Sequence, residues 1–102
     1  MTPLVERNHD RLVELCRKYG VRRLDIFGSA LRPDFDADRS DFDFIVEFND
    51  LTVKNAADRF LGLLVDLEDL FGRKIDLVSY RGIRNPYFKQ MVDKTRVALY
   101  AA

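Results

Sequence analysis

The most constraining stretch of this chain is DFDFIVEF, residues 41–48. Successive side chains of an extended backbone point to opposite faces. Phe42, Phe44, Val46 and Phe48 therefore share one face, which must be covered by another layer of the protein. Asp41, Asp43, Ile45 and Glu47 share the other. That second face opens with two acids and turns apolar at Ile45. The alternation fits a strand and not a helix. The chain must therefore build a sheet, cover it, and leave carboxylates at one end of it.

The flanking pattern supplies the covering. Val5, Leu12, Leu15, Cys16 and Tyr19 recur at helical spacing and predict a helix over residues 4–19, stopped by Gly20. RRLDIF, residues 22–27, predicts a short strand with Leu24 and Ile26 on one face, ended by Gly28 and Ser29. Residues 53–71 predict a helix with a stripe of Ala57, Phe60, Leu61, Leu64, Leu67 and Phe71, closed by Gly72. KIDLVS, residues 74–79, predicts a third strand with Ile75 and Leu77 on one face and Asp76 on the other. Pro86 opens a short helix through about residue 92, and RVALY, residues 96–100, closes as a strand. The fold class expected is α/β (α+β), with helices against a small sheet of about four strands. The 102 residues fit a single domain, 1–102. The loop over residues 28–40 is long for a compact domain, and such loops are often functional.

Charge narrows the function classes. Seventeen basic residues balance seventeen acidic ones, which argues against a general electrostatic grip on nucleic acid or an anionic membrane. With no long apolar run and no leader pattern, the expectation is a soluble, cytoplasmic protein. The single cysteine, Cys16, reads as core, and the single histidine, His9, as a surface or capping residue.

The acids are concentrated. Asp25, Asp34, Asp36, Asp38, Asp41 and Asp43 fall within nineteen residues. Asp34, Asp36 and Asp38 match the first three ligand positions of a calcium-binding EF-hand loop, but Arg39 stands where that loop needs glycine and Ile45 where it needs an acid. Those three read as turn residues. Asp41 and Asp43 are two apart on one strand face, where two like charges repel unless a proton or a cation comes between them. Asp76 opens the polar face of another strand. Three carboxylates from two neighbouring strands would make an oxygen-rich site suited to Mg²⁺. Gly28-Ser29 adds a tight turn after a strand, and a helical turn around Ala30 to Arg32 would offer N–H groups to a phosphate. Ser29 supplies a hydroxyl donor and Arg32 a guanidinium. Tyr80, Arg81 and Arg84 read as a solvated loop, and Leu51, Val53, Phe88 and Met91 as core or partner-facing residues.

Gly28-Ser29, eleven residues, Asp41-Phe42-Asp43 and then Asp76 together resemble the nucleotidyltransferase superfamily related to DNA polymerase beta. The whole chain resembles its minimal, MntA-like members, through FGSALRPDF, SDFDFIVEF, KIDLVS, IRNPYFKQMV and the closing ALY. The spacer is one residue longer than the compact form of the motif. The resemblance implies that Gly28, Ser29 and Arg32 bind the nucleotide triphosphate. It implies that Asp41, Asp43 and Asp76 are the catalytic set and hold two Mg²⁺ ions. The implied reaction is Mg-dependent transfer of AMP from ATP to an acceptor hydroxyl. The minimal members resembled are typically antitoxins paired with a HEPN-type ribonuclease toxin encoded beside them, and some place AMP on a tyrosine of that toxin. The expected assembly is a hetero-oligomer with such a toxin, with no membrane and no direct nucleic-acid partner. A different class of reading is a non-catalytic antitoxin that masks its toxin by binding. A third is a stand-alone transferase for small hydroxyl compounds, disfavoured because no acceptor-binding domain is present.

Overall fold

The computed structural model describes residues 3–28, 42–49 and 55–102. Within them the chain runs α1 (Pro3–Arg7), α2 (His9–Lys18), β1 (Val21–Phe27), β2 (Phe42–Phe48), α3 (Ala56–Phe71), β3 (Ile75–Ser79), a 3₁₀ turn (Tyr80–Gly82), α4 (Pro86–Thr95) and β4 (Val97–Ala101). The strands form one mixed sheet in the order β3-β2-β1-β4. β1 pairs antiparallel with β2 and with β4, while β2 and β3 run parallel. Parallel neighbours need a long crossover, and α3 lies within it.

The two faces of β2 behave as the alternation requires. Phe42, Phe44, Val46 and Phe48 join Leu24, Ile26, Ile75 and Leu99 in the main core, under Val5, Leu12, Cys16, Leu63, Leu67 and Phe71 of the helices. The rings of Phe42 and Phe44 stack at 5.8 Å, and Phe71 meets Phe42 edge-on at 5.3 Å. Each such ring removed from water is worth about 1.5–3 kcal/mol. A second, smaller core of Phe27, Ile45 and Val92 occupies the opposite face, with Val78, Tyr80, Ile83 and Phe88 against it. The turn to apolar character at Ile45 is therefore the footprint of α4.

Three expectations are corrected. The first helix is two, because the chain breaks at Asn8. Its side-chain Nδ2 donates to the Leu4 carbonyl at 2.8 Å, and its backbone N–H to Val5 O at 3.2 Å. Asparagine competes in this way with helical hydrogen bonding. The α3 stripe is rotated. Leu63, Leu67 and Phe71 are buried, whereas Ala57 and Leu61 are exposed, Leu61 by 58%. Leucine or valine occupies most positions from 61 to 67, so the sequence leaves the phase open and contact with the sheet decides it. α4 runs on to Thr95, one turn further than expected.

Gly72 ends α3 in the left-handed conformation, φ 65°. Cys16 is wholly buried, and burial pushes its thiol pKa up to about 12. His9 is exposed, with Nε2 3.2 Å from the Leu99 carbonyl. No helix among the described residues is long and apolar enough to cross a membrane.

Candidate active site

The site is built at one end of three adjacent strands. β1 ends in Phe27, the register partner of Asp43 in β2. Asp43 is in turn the register partner of Asp76 in β3. In a parallel pair such partners point to the same face, about 4.8 Å apart between strands. The two acids therefore stand side by side, Asp43 half-buried and Asp76 exposed. Both lie on the face of the smaller core.

Gly28 follows Phe27 with φ 72°. A Cβ there would fall 2.7 Å from Asp43 Oδ2. Glycine is thus required twice, by the backbone and by the carboxylate beside it. These residues open onto a groove of about 520 Å³, lined also by Phe27, Leu77, Val78, Phe88 and Met91. One end is acidic and the wall is apolar. Phe88 is fixed against Phe27 edge-on at 5.9 Å, and Met91 is 39% exposed.

A different cleft, of about 400 Å³, lies between α2 and α3 and is lined by Arg11, Lys18, Asp66 and Asp69. Its Lys18 and Asp66 are already ion-paired at 3.2 Å, and Tyr19 donates to the same carboxylate. It brings no strand-borne acids together, so the groove is the candidate site.

Of the residues singled out in the sequence, the structure brings together Gly28, Asp43 and Asp76. Ser29, Arg32 and Asp41 lie outside the described residues, as do Asp34, Asp36, Asp38, Leu51 and Val53. Among the described residues no cluster of three or more metal-ligating side chains occurs. The donors that are described, two carboxylates on neighbouring strands at a groove mouth, fit a hard divalent cation. Arg81 and Arg84 are exposed. Tyr80 is held into the fold, its hydroxyl donating to Asp93 at 2.8 Å, and this bond raises its pKa. The apolar wall was not legible as part of the site, because Phe88 and Met91 reach it only through the docking of α4.

Comparison with known proteins identifies the family. A family model described as "Nucleotidyltransferase domain" matches residues 11–99. A Methanocaldococcus jannaschii protein named "Putative protein adenylyltransferase MJ1379" is 32% identical over 86% of this chain and 84% of its own length. The protein adenylyltransferase MntA of Thermococcus cleftensis is 32% identical over 78% of this chain and 76% of its own. The fold is shared with a chain in a solved complex of a tri-AMPylated Shewanella oneidensis HEPN toxin with an MNT antitoxin. The TM-score is 0.67 at 20% identity, over 96% of this chain and 73% of that one. The chain belongs to the minimal, MntA-like branch of the nucleotidyltransferase-domain family.

Proposed function

We propose that this protein is an antitoxin that transfers AMP from ATP to a tyrosine hydroxyl of a cognate HEPN-type ribonuclease toxin. The observation that carries the reading is the register pairing of Asp43 with Asp76, with Gly28 closed against Asp43. The relatives named as protein adenylyltransferases support the choice of a protein acceptor.

In this reading Gly28 and Ser29 let the triphosphate approach the backbone closely, and Arg32 balances its charge. Asp41, Asp43 and Asp76 would hold Mg²⁺. Bound there, two ions would supply charge stabilisation for both the attacking and the leaving oxygens. The acceptor oxygen forms a bond to the α-phosphorus, the bond from that phosphorus to the bridging oxygen breaks, and pyrophosphate leaves. In this reading Asp76, the more exposed acid, would take the hydroxyl proton and pass it to water. The protein contributes mainly orientation and charge.

The test is the intact mass of the partner toxin after co-expression with this protein or with its Asp43→Asn form. Mass increments of whole AMP units, seen only with the unaltered protein, are expected. An unmodified toxin that still co-purifies and is still silenced would replace the transferase reading with neutralisation by masking.

A further inference from the structure

The sheet face that carries Asp43 and Asp76 also carries an ionic cluster that this chemistry does not use. Asp25 lies at the centre of β1 and is wholly buried, the only charged residue so placed among the described residues. Arg23 Nε donates to its Oδ1 at 2.9 Å, and Arg96 Nη1 to its Oδ2 at 3.4 Å. The same Arg96 nitrogen reaches Glu47 Oε2 at 3.3 Å. The Arg96 guanidinium lies 4.5 Å from the centroid of the Tyr80 ring. Arg96 is also the C-cap of α4, its backbone N–H donating to Val92 O at 2.8 Å. One side chain thus ties the end of α4 to β1 through Asp25, to β2 through Glu47 and to the turn after β3 through Tyr80. Those strands lead to Gly28, Asp43 and Asp76.

Stability alone explains such a cluster poorly, because desolvating buried charges offsets much of their attraction. What the cluster does determine is the position of α4. Of the ten residues of α4 only Val92 is wholly buried, so apolar burial anchors this helix weakly. Yet α4 supplies Phe88 and Met91, the wall of the groove beside the acids. A groove with an acidic end and an apolar wall matches a side chain with an apolar body and a hydroxyl tip, and the Met91 sulfur favours contact with an aromatic ring.

We infer that Arg96 is a positioning residue for the acceptor. It holds α4 so that Phe88 and Met91 form a fixed wall, along which an aromatic side chain is aligned with its hydroxyl towards Asp43 and Asp76. The inference rests on the transferase reading above. The main core lies on the other face of the sheet and does not include Arg96, and Arg23 still pairs the buried Asp25 at 2.9 Å, so Arg96→Ala should fold with reduced stability.

Two measurements test it. Steady-state transfer with the toxin as acceptor should show a KM for the toxin raised about tenfold in Arg96→Ala, with the KM for ATP unchanged. A loss of folded protein would instead lower the apparent kcat alone. Arg96→Lys keeps the charge without the planar fork and should recover part of the effect. Phe88→Ala should behave like Arg96→Ala, and the double variant should be no worse than the poorer single one, since both act through one wall. An unchanged KM for toxin, a raised KM for ATP, or additive losses would overturn the inference. Amide hydrogen exchange, measured without ATP or toxin, should accelerate in residues 86–95 of Arg96→Ala while β1 and β2 keep their protection. If α4 stays protected, the positioning role is refuted whatever the kinetics. If α4 loosens but the unaltered protein transfers no AMP, the transferase reading fails and takes the acceptor role with it.

Discussion

Two glycines with nearly the same positive φ offer a matched test of the site. Gly28 has φ 72° and Gly72 has φ 65°. An alanine pays about 1–2 kcal/mol to adopt that left-handed conformation. In a domain of this size, that lowers Tm by roughly 4–15 °C. Gly28→Ala and Gly72→Ala should therefore lose similar stability from backbone strain. They differ in what the new methyl meets. At Gly72 nothing lies within 4 Å, whereas at Gly28 the methyl falls 2.7 Å from Asp43 Oδ2. Ordinary contact begins near 3.4 Å, so the carboxylate must retreat by about 0.7 Å, and a displacement of that order costs roughly 10- to 100-fold in rate. The assay is AMP transfer to the toxin well below both melting temperatures, with Tm from thermal denaturation. Gly72→Ala should keep nearly full activity per folded molecule, and Gly28→Ala should lose it. Equal activity in the two variants would refute the claim that Gly28 sets the position of Asp43.

Other measurements probe the fold. The Tyr19 hydroxyl, and secondarily the Lys18 ammonium, hold the Asp66 pKa below the usual carboxylate value. A lowered folded pKa stabilises above the unfolded value and is lost as pH falls through the folded one. Tyr19→Phe should therefore lower Tm near neutral pH, and its gap from the unaltered protein should close below about pH 4. A gap that stays constant down to pH 2 would count against the hydrogen bond. Cys16, with its thiol raised to about 12 by burial, should resist iodoacetamide at pH 8 in the native protein and react promptly in denaturant. Fast native labelling would show that the main core opens readily.

The strands were legible because one face of β2 is apolar at every position and because Asp43 and Asp76 each stand second in their strands. Aligning the polar starts of two parallel strands is enough to bring those acids together. What was not legible depends on contacts distant in sequence. Gly28 meets Asp43 only through the antiparallel register of β1 on β2. The phase of α3 is ambiguous from residue 61 to 67 and is decided by the sheet beneath it. Asp25 sits between Leu24 and Ile26 in a short strand, and nothing local shows that Arg96, 71 positions later, will reach it. The arginine two residues before it, Arg23, was the one nearby sign that a buried acid would be matched.

The two cores on opposite faces of the sheet have a consequence for how such a protein can change over generations. The large core under α2 and α3 holds most of the apolar burial, while the groove wall belongs to the smaller cluster under α4. If the groove takes the acceptor as proposed, substitutions at Phe88 or Met91 would alter which partner is accepted while leaving the carboxylates and the larger core in place. On the proposed reading, drift in the acceptor protein would be matched by changes confined to a single ten-residue helix.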